Sequence, residues 1–175
     1  MPNSGRILIF TGDGKGKTTA ALGMALRASG HGLRVKIIQF VKADSSVGEI
    51  AAVESLPGVE IVQTGRGFLP ADTSPAIEAH REAANEGLRM AGEALRSGDY
   101  DLVVLDEICF AVARKLLDEN EVIEVVKRAD PNTTVVMTGR GAADALVDIA
   151  DTVTEMRVIK HAMSESRPAQ RGVEY

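Results

Sequence analysis

The chain has 175 residues, a formal net charge of −5, 45% hydrophobic residues and a single cysteine, Cys109. That length suits one domain that buries its own core without staples. The acidic balance weighs against nonspecific nucleic-acid binding as the main task, and a lone cysteine excludes both a disulfide framework and a cysteine-built zinc site.

Met1-Pro-Asn-Ser-Gly-Arg6 precedes only four apolar residues and does not read as a secretory signal, and no apolar run approaches the ~20 residues that span a bilayer. A cytoplasmic protein with no membrane partner is therefore expected. Ile7 to Phe10 reads as a short buried parallel strand. Gly12, Asp13, Gly14, Lys15 and Gly16 cannot continue it, because three glycines in five residues favour a turn with unusual dihedrals. An Ala-rich helix follows from Lys17 to Ser29 and stops at Gly30-His-Gly32. Strand, glycine loop and helix in this order form a phosphate-binding loop. Its amides converge on an anion, Lys17 adds a point charge, and the Thr18 hydroxyl is placed to ligate Mg²⁺. The usual pattern G-x-x-x-x-G-K-[ST] has glycine where this chain has Thr11; Gly16, Lys17 and Thr18 match it.

Leu33 to Val41 reads as a second strand, Glu49 to Ser55 as a short helix, and Val59 to Val62 as a third strand. The loop from Thr64 to Ser74 is too long for a simple connector. Asp72, Thr73 or Ser74 is positioned to cap a long helix from Pro75 to about Arg96. Ile77, Ala84, Leu88, Ala91 and Leu95 lay one apolar stripe along it. Tyr100 to Leu105 is a continuous apolar strand closed by Asp106-Glu107. Helices are expected at about 108–115 and 119–127, a strand at Thr133 to Met137, a helix from about Ala142 to Ala150 and a last strand from Thr152 to Val158. Strands alternating with helices predict a single α/β domain, a three-layer sandwich of the P-loop NTPase (RecA-like) kind with a mostly parallel sheet of about six strands. Ligands on such sheets bind at the carboxyl ends of the strands. The Gly12 loop, Gln39, the Gly65–Pro70 loop, Asp106-Glu107 and Gly139–Gly141 should therefore share one face.

Leu102-Val-Val-Leu-Asp106-Glu107 has the form of a Walker B strand, which delivers a carboxylate beside the phosphate loop. Mg²⁺ takes hard oxygen ligands, usually one or two carboxylates plus substrate phosphates. Capping of the next helix is the plainer alternative; with a phosphate loop present, metal binding by Asp106 or Glu107 is favoured, without a choice between them. A glutamate at position 107 also suits a water-activating ATPase. An arginine between glycines, Arg140 in Thr138-Gly-Arg-Gly141, reads equally as a plain surface turn or as a grip on a polyphosphate through forked hydrogen bonds, and its expected place on the ligand face favours the second.

Taken together, these segments resemble the P-loop ATP:corrinoid adenosyltransferases. The resemblance is carried by Thr11-Gly-Asp-Gly-Lys-Gly-Lys-Thr-Thr-Ala-Ala21, Val35–Lys42, Gly67-Phe68, Val104–Ile108, Met137-Thr-Gly-Arg-Gly141, Ala150–Arg157, Ile159-Lys-His161 and Ala169–Tyr175, in family order along almost the whole chain. It implies that cobalt(I) of a reduced corrinoid attacks the 5′ carbon of ATP and triphosphate leaves, in adenosylcobalamin biosynthesis or salvage. The nucleophile belongs to the substrate, so no side-chain nucleophile is needed. The catalytic set is then Lys17, Thr18, Glu107 and Arg140, with ATP held by Gly12, Asp13, Gly14, Lys15, Gly16, Lys17, Thr18 and Thr19, and Mg²⁺ by Thr18 with Asp106 or Glu107. Gly67, Phe68 and His161 are expected to meet the corrinoid, Phe68 by pressing on its lower face. A second aromatic, a tryptophan in well-known members, is here Pro70. Residues 159–175 are expected to fold over the ligand face. A homodimer and a flavoprotein reductant rest on the same resemblance. The competing readings are a P-loop ATPase or small-molecule kinase, and a nucleotide-dependent binding module with negligible turnover.

Overall fold

The computed structural model describes residues 4–71, 74–162 and 168–173. Six strands form its sheet: β1 (Ile7–Thr11), β2 (Val35–Gln39), β3 (Val59–Gln63), β4 (Leu102–Asp106), β5 (Thr134–Thr138) and β6 (Thr152–Glu155). Their order is β3-β2-β4-β5-β1-β6, and every pairing is parallel. The helices between them are α1 (Lys17–Gly30), α2 (Gly48–Glu54), α3 (Ile77–Ser97), α4 (Ile108–Ala113), α5 (Glu119–Lys127) and α6 (Asp144–Asp148).

The apolar strands split by parity, as the alternation of side chains across a pleated sheet requires. Val35, Ile37, Leu102, Val104 and Val136 pack with Ala21, Ala25 and Ala28 of α1 and Val53 of α2. Ile9, Ile38, Val103, Leu105, Val135 and Met137 face the other way, onto α3, α4, α5 and Leu146 of α6. The sheet is thus covered on both faces, which explains runs that are apolar throughout. The stripe expected on α3 is the buried one: Ile77, Ala84, Leu88, Ala91 and Leu95 all lie in the core.

Every boundary but the end of β6 falls within two residues of the sequence expectation, and two of the differences have local causes. β6 stops at Glu155 rather than Val158, because Met156 turns over the glycine loop: its N–H donates to the Thr11 carbonyl and its own carbonyl accepts from Gly14 N–H. Helix α3 begins at Ile77 with Ala76 at its N-cap and no side-chain cap; the Ser74 hydroxyl accepts from Ala76 N–H, while Asp72 and Thr73 lie outside the described residues.

Parallel register brings the carboxyl ends of the strands to one edge. Gln39 is level with both Asp106 and Gln63, Phe10 with Thr138, and Thr11 with Glu155.

Candidate active site

A cleft of about 780 Å³ opens at this edge. The glycine loop from Asp13 to Gly16 and the first turn of α1, with Lys17, Thr18 and Thr19, form its floor. Lys42, Glu49, Glu107, Phe110 and Arg140 also line it, as do His161, Gly172 and Val173 of the tail. Gly14 is buried against the chain leaving β6, where a Cβ would come within 2.7 Å of the Met156 carbonyl oxygen. Only glycine permits that approach.

Lys17 is buried and its ammonium donates to the carbonyls of Gly12 and Gly14, each at 2.7 Å. Burial pushes its pKa below the ordinary lysine range, while the charge of Glu107 acts the other way. Behind the loop, three polar side chains at the ends of adjacent strands are fully buried: Gln39, Asp106 and Thr138. Asp106 organises them. Its Oδ1 accepts from the hydroxyls of Thr18 at 2.9 Å and Thr138 at 2.7 Å. Its Oδ2 accepts from Gln39 Nε2 at 3.0 Å and pairs with the Lys42 ammonium at 3.2 Å. Gln39 Oε1 in turn accepts from Gln63 Nε2 at 2.9 Å. A buried carboxylate requires this degree of satisfaction.

Glu107 follows with φ of 65°, a left-handed backbone unusual for a residue with a Cβ, and its N–H donates to Thr138 Oγ1 at 2.9 Å. It occupies the N-cap position of α4 without a side-chain cap bond, so helix capping is not what this side chain does. Burial, reinforced by the neighbouring Asp106 charge, raises its pKa above the ordinary glutamate range. Gly139 holds the next strand end at φ of 136°, and a Cβ there would meet Phe110 N at 2.5 Å. The exposed Arg140 follows it on the cleft wall. Thr11, where the common phosphate-loop pattern has glycine, also has a structural role: its hydroxyl accepts from Ala142 N–H at 3.2 Å and ties the Arg140 loop to β1.

Asp13 to Thr19, Glu107, Arg140 and His161 therefore meet around one cleft, with Asp106 directly behind it and Gly12 outside the lining. Phe68 stands apart, 96% exposed and outside the cleft lining. Gly67, with φ of 82°, lines a second cavity of about 530 Å³ together with residues 41–44 and Val47. Val41 and Lys42 border both cavities. Sequence reading did not single out Lys42 or Glu49 as site residues. The one signal that could have found them is that Lys42 follows β2 at the ligand edge and lies seven residues before Glu49.

An all-parallel sheet with a glycine loop leading into α1 and a carboxylate held against the loop's threonine defines a P-loop nucleotide-binding protein. The model of the family described as ATP:corrinoid adenosyltransferase BtuR/CobO/CobP matches residues 3–175, and the chain belongs to this family. It is 40% identical over 171 residues to the corrinoid adenosyltransferase of Escherichia coli K12, spanning 98% of this chain and 86% of that one. It is 40% identical over 177 residues to corrinoid adenosyltransferase CobA of Salmonella typhimurium, with the same coverage. The Pseudomonas aeruginosa corrinoid adenosyltransferase is 37% identical over 174 residues, 98% of this chain and 84% of the relative. In fold it resembles the flagellar accessory protein FlaH of Methanocaldococcus jannaschii, with a TM-score of 0.61 at 10% identity over 87% of this chain and 71% of that one. The chain is an enzyme of adenosylcobalamin biosynthesis or salvage whose substrates are ATP and a corrinoid. Among the described residues no helix is long and apolar enough to cross a membrane.

Proposed function

We propose that the 780 Å³ cleft is where ATP gives up its adenosyl group, with the triphosphate lying along Gly12–Thr19. Cobalt(I) supplies an electron pair to the 5′ carbon, the carbon–oxygen bond breaks, and its electrons leave with triphosphate. The protein's part is to align the two centres and to accommodate the charge that departs. Lys15, Lys17 and Arg140 bring that positive charge, and all three line the cleft. The observation that carries this reading is the Thr18–Asp106 hydrogen bond, which fixes the first turn of α1 against the end of β4.

Mg²⁺ belongs to the same reading. The Thr18 hydroxyl and the carboxylates of Asp106 and Glu107 are hard oxygen donors gathered at the loop, the chemistry this ion takes together with substrate phosphates. Thr18 with Asp106 or Glu107 would hold it, and there it would neutralise charge on the phosphate oxygens. Gly67, Phe68 and His161 are assigned to the corrinoid. An aromatic side chain already in solvent can cover the face of a flat macrocycle without unpacking the core, which favours Phe68 for that role. The tail 159–175 is assigned to the ligand face, a reading supported by His161, Gly172 and Val173 on the cleft wall; residues 163–167 and 174–175 lie outside the described residues. A homodimer and a flavoprotein reductant complete the proposal by family resemblance, and a cytoplasmic setting by the reading of the sequence.

Crystals grown with ATP, Mg²⁺ and a corrinoid test it. Triphosphate on the Gly12–Thr19 amides with the 5′ carbon facing the corrinoid is expected. A γ-phosphate presented to Glu107 and water would favour hydrolysis instead.

A further inference from the structure

Lys42 follows β2 and makes an unusual set of contacts. Its ammonium lies 3.2 Å from Asp106 Oδ2, 3.4 Å from Thr18 Oγ1 and 3.4 Å from Glu49 Oε1. Three oxygens from three separate elements surround one cation, and two of them belong to residues assigned to Mg²⁺ in the proposed function. Resting on that assignment, we propose that Lys42 is the resident counter-cation of the nucleotide-free site. It neutralises Asp106 until metal and ATP arrive together, and it keeps free divalent metal out until then.

The asymmetry of the pair identifies which partner moves. The Asp106 side chain is 0% exposed and fixed by Gln39, Thr18 and Thr138, whereas the Lys42 side chain is 31% exposed. A carboxylate this buried needs a positive partner, since hydrogen bonds alone leave its charge uncompensated. Lys17 does not fill that place, because its ammonium is committed to the carbonyls of Gly12 and Gly14. A divalent ion drawing on Asp106 Oδ2 and Thr18 Oγ1 would stand against the Lys42 ammonium. Two cations repel more strongly there than in bulk water, because the site is only partly open to solvent. Free metal must therefore displace Lys42 from Asp106 and Thr18 with only the partly exposed Glu49 carboxylate left to hold it. Metal arriving with ATP brings phosphate oxygens into the cleft that Lys42 also lines, and the ammonium can move to them on its flexible four-carbon stem. Lys42 is thus a positioning residue that couples metal entry to nucleotide entry.

The test is titration of the nucleotide-free protein with Mn²⁺ alone, with free metal read from its electron paramagnetic resonance signal. Lys42→Met should bind Mn²⁺ about tenfold tighter than wild type or more, as loss of a cation beside a carboxylate site implies, and Lys42→Arg should stay as weak as wild type. Lys42→Gln makes the same neutral substitution should the methionine variant not fold. Equal or weaker Mn²⁺ binding by the neutral variants, with Mn²⁺–ATP still bound by wild type, would overturn the counter-cation role and leave the metal assignment standing. Tightening by Lys42→Arg as large as that of the neutral variants would overturn it as well, because charge would then not be the cause. Mn²⁺ bound by no variant, with or without ATP, would remove both the inference and the metal assignment.

Discussion

Thr18, on the first turn of α1, donates its hydroxyl proton across 2.9 Å to Asp106, 88 residues further along the chain. That single bond joins the start of α1 to the carboxylate strand β4, which β5 separates from β1 in the sheet. It also commits the threonine proton to a carboxylate, so the hydroxyl's lone pairs serve whatever cation stands beside it. Asp106→Ala would strip an acceptor from Thr18, Thr138, Gln39 and Lys42 together. The part-exposed Lys42 keeps Glu49, but the buried Thr138 hydroxyl and Gln39 amide lose their acceptor at about 1–3 kcal/mol each, so urea unfolding should show a loss of that order. A variant as stable as wild type would show that the network contributes little to folding.

Lys17→Ala removes a buried ammonium at the cleft, and with it the donor to the Gly12 and Gly14 carbonyls. Loss of one preorganised charge facing a leaving group typically lowers turnover by about 10²–10³, and a fall of that size or more is expected here. Turnover with chemically supplied cobalt(I) checks it. Activity near wild type would take Lys17 out of the leaving-group role.

Glu107 makes stability depend on pH. Its folded-state pKa is raised by burial and by Asp106, so the folded state holds the proton more tightly than the unfolded chain does. Its contribution is therefore full below the ordinary glutamate pKa and is lost as pH rises through the raised value. Glu107→Gln carries no titrating group and should flatten that part of the curve. Thermal melts across the acidic to neutral range measure this; an unchanged slope in the variant would contradict it.

Phe68→Ala should leave the fold intact, since the side chain is 96% exposed. Reaction from cobalt(II), which needs the corrinoid made easier to reduce, should suffer much more than reaction from cobalt(I). Equal losses on the two routes would remove Phe68 from activation and leave it as a simple contact.

The layers were legible because their signals are local. Apolar runs such as Leu102 to Leu105 and the stripe from Ile77 to Leu95 report burial through spacing alone, and the glycine loop announces a phosphate site by composition. Pairings across the sheet were not legible. Nothing in the spacing links Lys42 to Asp106, because only the β2–β4 register brings Gln39, and the loop after it, level with Asp106. The hydroxyl of Thr11 accepting from Ala142 N–H lies outside periodicity for the same reason, spanning 131 residues. The early end of β6 likewise depends on Met156 meeting the glycine loop, a contact made between distant segments.

The most direct measurement is an anaerobic reaction of the purified protein with ATP, Mg²⁺ and a cobalt(I) corrinoid, followed by absorbance and by analysis of the phosphate products. The account predicts a light-sensitive adenosylcorrinoid formed together with an equal amount of triphosphate. ADP and phosphate released with the corrinoid left unalkylated would contradict it.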